Sequence, residues 1–510
     1  MQISCDKAID LGDRDMSIEL SEECFELGNK SADGSMKRAS YFYCSATSIM
    51  EFIILEDKET LIEKLYERCL YLFRTVNDLC LQGYSDLDKD NRDYEVSKAY
   101  IDAVFYQANT NYSNILSQCG RYVKSINILE KISTSGFPMA SGNLALKLVD
   151  YSYFDPSHIK IFYYNAYHLL VKVMDKDVFF IEKEFYIDIF EKYLTLIDRS
   201  VDPKFLKAEL SINDFLEPFE NLDYKEKKYR QWISEKGLSL NQLNELYFEE
   251  VVGYDPLHLP DIILKKDDLS IEPRYHGIFN QIKQEYVSSR FLVYEGLNHR
   301  ETHYSDKHVY LINTYDYPVY GIGIEKIKAA YRGVYSIFDR IAYFLNCYLD
   351  LGISEKQISF TNLWYKNVRK NEKREEVETL VKNNYALRGL WWIYKDFRNK
   401  TVYNDKHIDP ILEKITKVRN AMEHKYLRIL DYYEEDILDE GYTENDFAFN
   451  LGFSDFEKLT IELLKLVREA IIQLTMIVKI EEDKNRKEDS NNMILGEIPL
   501  SKYYDEWKII

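Results

Sequence analysis

Apolar residues return every three or four positions through most of this chain, the period of helices that bury one face. Residues 15–28, 36–55, 58–80, 94–119 and 122–133 read as successive helices with short connectors, and more follow between 158 and 197. Residues 205–300 are less regular until a strong helix at 275–295. The helix at 324–349 has an apolar face wide enough for the centre of a bundle. Asp339 and Arg340 lie within it, flanked by Phe338, Ile341 and Tyr343, which predicts a buried carboxylate in need of a partner. Two further helices are predicted at 410–430 and 456–479. The first has Asp409 and Pro410 where an N-cap and a first-turn proline belong, and its apolar stripe is Ile411, Ile415, Val418, Met422 and Ile429. The predicted class is all-α. Residues 1–204 form a helical-repeat scaffold, 205–300 a bridging region, 301–480 a helical bundle, and 481–510 a charged linker with a C-terminal cap.

Composition agrees with helices. Gly (19) and Pro (10) are sparse in 510 residues, against a β-sandwich, and 46% apolar content is enough to bury two or three cores. The 43 tyrosines fall in all segments, so they single out no site. Seven scattered cysteines without a Cys-x2-Cys pair fit a reducing cytoplasm. The N-terminus lacks a basic region followed by an apolar run. The greasiest helix, 463–480, is interrupted by Lys465, Arg468 and Glu469, so neither a signal peptide nor a membrane span is expected.

The net charge of −20 opposes indiscriminate nucleic-acid binding. It is unevenly spread. Residues 360–430 hold sixteen Lys and Arg against nine Asp and Glu, a local excess of +7. Within this segment Lys366, Arg369, Lys370, Lys373 and Arg374 form a basic run. Trp364, Tyr365, Trp391 and Trp392 lie around it, an arrangement suited to base stacking or simply to a core.

On the 410–430 helix, Asn420 and His424 are four apart and share a face roughly opposite the apolar stripe, with Arg419 in reach. The bland alternative is an i,i+4 ion pair of Arg419 with Glu423. Lys417 and Lys425 extend the positive face, Leu427 shares the outward face, and Tyr426 lies near the stripe, where core packing is expected. His299, His303 and His308 form the one histidine cluster, and His299 and His303 have an i,i+4 spacing that could serve a metal, but no carboxylate cluster accompanies them and a loop or packing role is expected instead. Tyr320-Gly-Ile-Gly323 is a lone Gly-x-Gly, a weak nucleotide-loop signal.

Two resemblances follow from these residues. The stretch NTNYSNILSQCGRYVKSINILEKI, with Gly120-Arg121-Tyr122 at its turn and Ser125 among Ile126, Leu129 and Ile132, resembles a tetratricopeptide (TPR) repeat. Tyr112-Ser113 stands where that repeat has Leu-Gly. A TPR-like scaffold implies a protein or peptide partner. The order long helix, basic-aromatic connector, helix with Arg419-Asn420-x3-His424 and closing helix resembles the HEPN-domain ribonucleases of prokaryotic defence and toxin systems. The stretches FNQIKQEYVSSRFLVYE, INTYDYPVYGIGIEKIKAAYRGVYSIFDRIAYFLN and YRQWISEKGLSLNQLNEL resemble a subfamily that joins TPR-like repeats to such a domain.

The resemblance implies RNA cleavage without metal or cofactor. His424 would move the proton, Arg419 would hold the phosphate, Asn420 would orient either, and Asp339 would orient the group. Attack by the ribose 2′-hydroxyl would leave a cyclic phosphate and spare DNA. The resemblance further implies a homodimer through the bundles and possible regulatory modification at Tyr426. Leu427 is expected as an apolar contact across the two-fold axis. The competing reading is a non-catalytic scaffold or a nucleotide- or protein-binding module.

Overall fold

The computed structural model describes residues 14–488 except 33, 35, 56–62, 181–182, 217–221, 263–273, 311–318, 371, 398–408 and 432–447. Among them are sixteen α-helices and only two small two-stranded sheets, as the apolar period predicts. The cap expected at the C-terminus lies outside the described residues. The chain groups into two compact units, Met1–Asp255 with Arg388–Val418, and Pro256–Leu387 with Arg419–Ile510, a division that cuts across the boundaries expected at 204 and 300.

The first unit is a run of helices, each packed on the next: α1 (Arg14–Lys30), α2 (Met36–Leu55), α3 (Glu63–Ser85), α4 (Tyr94–Gln118), α5 (Tyr122–Ser133), α6 (Pro138–Ser152), α7 (Ile159–Met174) and α8 (Lys183–Ser200). Short α9 (Pro203–Leu206) and α10 (Tyr224–Glu235) follow. The α4–α5 turn shows how sequence sets geometry. Gly120 takes φ +84°, the Gly120 amide donates to Ser117 O at 2.9 Å, and the Arg121 amide donates to Leu116 O at 2.8 Å. These bonds satisfy the last carbonyls of α4 in the left-handed cap that glycine allows. The helices then cross at Ser113 and Ser125. Their hydroxyls lie 2.7 Å apart, and each hydroxyl also reaches the other residue's carbonyl, at 3.2 and 2.9 Å. Ser21 and Ser45 repeat this clasp between α1 and α2, with the hydroxyls 3.0 Å apart.

The segment Arg388–Val418 belongs to this unit through buried ion pairs. Asp396 accepts both terminal nitrogens of Arg74, at 2.9 and 3.0 Å, and Arg121 at 2.6 Å. Lys395 meets Glu63 at 2.5 Å and also pairs with Glu67. Trp391 and Trp392 are buried, 4% and 0% exposed, so their role is core packing and not base stacking.

Asp409 is the expected N-cap. Its carboxylate accepts the Ile411 amide at 3.0 Å and lies 3.8 Å from Arg74 and 3.6 Å from Lys124. Burial alone would push this carboxyl up. Arg74, then Lys124 and Arg121, outweigh it and hold the group at about 2. Because the unfolded value is about 3.9, Asp409 contributes about 2–3 kcal/mol above roughly pH 4, a contribution lost as pH falls toward 2. The melting temperature of Asp409→Asn should therefore lie below wild type at neutral pH, and the gap should close between pH 4 and 2.

The second unit packs α11 (Arg274–Asn298), α12 (Ile322–Tyr348) and α16 (Phe453–Glu488) against one another. Its core includes Phe279, Ile282 and Val293 of α11, Ile327, Val334, Ile337 and Ile341 of α12, and Leu463, Val467, Ile471 and Leu474 of α16. Gly296 and Gly323 let α11 and α12 approach. A Cβ on Gly296 would sit 2.6 Å from Gly323 O. The Gly-x-Gly signal is thus a packing device. The strands β1 (Tyr365–Asn367) and β2 (Glu372–Lys373) form a hairpin, followed by α13 (Glu375–Asn383) and the start of α14 (Tyr385–Asp396), which belongs to the first unit from Arg388 on. α16 runs on to Glu488, through much of the stretch expected to be a linker. No helix among the described residues is long and apolar enough to cross a membrane.

Candidate active site

The helix carrying the polar trio is α15, Pro410–His424. Leu412, Ile415, Val418, Ala421 and Met422 are its buried stripe, whereas Ile411, expected inside, is 47% exposed. The helix stops at His424, six residues before the predicted end. Lys425 donates its amide to Ala421 O at 3.0 Å, and the chain becomes β3 (Tyr426–Leu430), paired in parallel with β4 (Ala448–Gly452). The reason lies in the side chains. From Tyr426 to Ile429 exposed and buried positions alternate, which suits a half-buried strand, and Val319 donates its amide to Ile429 O at 2.9 Å on this segment.

This ending overturns two expectations. Leu427 is buried in β3, 7% exposed, and cannot be an outward contact. Leu427→Arg should therefore unfold the second unit, at a cost of about 3 kcal/mol or more, because a strand core would receive an unpaired charge. Circular dichroism melting checks this. A stable variant that lost only dimerisation would revive the outward reading. Tyr426, expected in the core, is instead 42% exposed, and its hydroxyl lies 2.7 Å from that of Tyr320.

The trio itself is presented outward. Asn420 and His424 are exposed and Arg419 is half-buried. Arg419 Nη1 donates to Asn420 Oδ1 at 3.2 Å, and its guanidinium lies 5.5 Å from the Tyr335 ring, a cation–π arrangement. Among the described residues no carboxylate pairs with Arg419. The alternative Arg419–Glu423 pair does not form, because Glu423 accepts Arg332 Nε at 3.1 Å while Arg332 Nη2 donates to Met422 O at 3.0 Å. Tyr335 and Arg332, one turn apart on α12, were not legible as site residues. Their only signal is polar character beside the buried run of α12.

Asp339 is exposed, contrary to the buried carboxylate expected. It accepts the Phe360 amide at 2.8 Å and makes no polar contact with Arg419 or His424. Lys366, Arg369 and Lys370 are exposed on the β1–β2 hairpin. Lys373 and Arg374 are half-buried, and Arg374 is engaged in donating to Asn362 O at 2.9 Å. Trp364 and Tyr365 are buried, 2% and 1% exposed, and belong to the core. Lys425 is exposed, and Lys417 pairs with Glu413 at 2.7 Å along the helix. His303 Nδ1 accepts the Ser305 amide at 3.2 Å, a turn cap. No group of three or more potential metal ligands occurs among the described residues.

What this arrangement can do chemically is hold an anion against a guanidinium that, among the described residues, has no carboxylate partner, on the same helix as an imidazole open to solvent. No curated protein and no solved structure matches the chain. Residues 267–481 match the family model described as LA2681-like HEPN, a span holding Arg332, Tyr335, Arg419 and His424, and this match supports a HEPN domain in the C-terminal part of the chain.

Proposed function

We propose that the C-terminal bundle is a metal-independent endoribonuclease acting through Arg419 and His424. The observation that carries this reading is the Arg419 guanidinium, held by Tyr335 and Asn420 with no carboxylate partner among the described residues, five positions before the exposed His424. His424 moves a proton between the ribose 2′-hydroxyl and the leaving 5′-oxygen, while Arg419 stabilises charge growing on the phosphate oxygens. Asn420 aims the guanidinium. Lys366, Arg369, Lys370 and Lys425 supply positive surface for the backbone.

A single domain offers one such Arg and one such His, so we propose a homodimer whose exposed α15 faces meet across a two-fold axis and pair the two histidines. The N-terminal helices act as a TPR-like scaffold that binds a protein or peptide and regulates cleavage. The clasps at Ser113–Ser125 and Ser21–Ser45, where small residues let paired helices approach, support that reading. The setting we propose is cytoplasmic antiphage defence or toxin-type growth arrest, with exposed Tyr426 open to silencing modification. The test is incubation with RNA and with DNA in excess EDTA. RNA fragments ending in 2′,3′-cyclic phosphate and intact DNA are expected. RNA that is bound but uncut would instead mark a non-catalytic module.

A further inference from the structure

We infer that Arg332 and Tyr335 form a sorting device on α12 that keeps Glu423 off Arg419, making Arg332 a positioning residue for the anion site. The inference rests on the reading of Arg419 as the phosphate-holding group.

Residues four apart on a helix are neighbours, and opposite charges there pair readily. Left to α15 alone, Glu423 would neutralise Arg419 and compete with any phosphate for it. In the structure each member of that pair is taken by a different residue of α12. Arg332 binds Glu423 at 3.1 Å, and Tyr335, three residues further on, lies under the Arg419 guanidinium at 5.5 Å. Arg332 also meets two needs of the helix end. A carboxylate in a last turn faces the negative end of the helix dipole, which a cation offsets. Met422 O is one of the terminal carbonyls without a partner in the helix, and Arg332 donates to it at 3.0 Å. The Arg332 and Glu423 side chains are 43% and 36% exposed, so their pair adds little stability. Its consequence is the choice of partner: Glu423 is directed to α12, and Arg419 faces solvent beside Asn420.

The device makes a rescue prediction. Arg332→Ala should raise KM for RNA and weaken binding of a non-cleavable 2′-O-methyl RNA about twofold, the size expected when an i,i+4 pair competes for the cation. Its melting temperature and its kcat at saturating RNA should change little. Adding Glu423→Gln to Arg332→Ala should restore both KM and binding, since the amide cannot neutralise Arg419. Wild-type binding by Arg332→Ala would overturn the inference. So would a double variant as weak as the single one, because Arg332 would then touch RNA itself or merely support the fold. The binding arm keeps the two readings apart: a wild-type protein that cleaves nothing, yet follows this pattern of binding and rescue, would remove the nuclease reading and leave the sorting device standing.

Discussion

His424→Ala is expected to lower RNA cleavage by about two to four orders of magnitude, the range for losing a general acid–base group. Arg419→Ala is expected to lower it by about two to three orders, the range for removing one donor to a developing oxyanion. Neither change should alter the melting temperature by more than a degree or two. His424 is exposed and has no hydrogen-bond or ion-pair partner among the described residues, and Arg419 is half-buried against Tyr335 and Asn420. Surface substitutions of this kind stay within about half a kcal/mol. Asn420→Ala should cost less, because it removes one bond to the guanidinium and leaves both reacting groups. Initial rates on a fluorescent RNA, paired with thermal melts, separate the outcomes. Loss of activity together with unfolding would make these residues structural.

In the first unit the largest effect on stability is expected at Asp396. Its side chain is 1% exposed and receives three hydrogen bonds from Arg74 and Arg121, which are themselves 9% and 1% exposed. Asp396→Ala leaves two buried guanidinium groups without their shared counter-charge, which costs about 3–5 kcal/mol. In a unit of this size that is a fall of roughly 10 °C in melting temperature. Asp396→Asn keeps an acceptor and should lose less. Differential scanning calorimetry reads this directly, and a fall under about 2 °C would show that the pair is solvated and dispensable.

The same cluster shows what one sequence can and cannot disclose. The helices were legible because apolar residues recur along them, and the α4–α5 turn because Gly120 is the residue a left-handed cap favours. Asp396 meeting Arg74 and Arg121 was not, since an ion pair between distant positions leaves no periodic mark. The grouping of Arg388–Val418 with the N-terminal helices was hidden for the same reason. At the site, the outward placement of Asn420 and His424 followed from spacing along one helix. The end of that helix did not. Tyr426, Leu427, Arg428 and Ile429 continue an apolar spacing that a helix also satisfies, and only the partner strand Ala448–Gly452 decides for β structure. Burial of Asp339 was inferred from its apolar neighbours, but its own position faces solvent, where it caps Phe360.

The most direct test of the central claim is cleavage, in excess EDTA, of an oligonucleotide with one ribose in an otherwise 2′-O-methylated strand. The mechanism needs the free 2′-hydroxyl and His424, and needs no metal. It predicts a single cut immediately 3′ to that ribose, a 2′,3′-cyclic phosphate on the product, and no cut by His424→Ala. Cleavage at methylated positions, or an equal rate from His424→Ala, would contradict it.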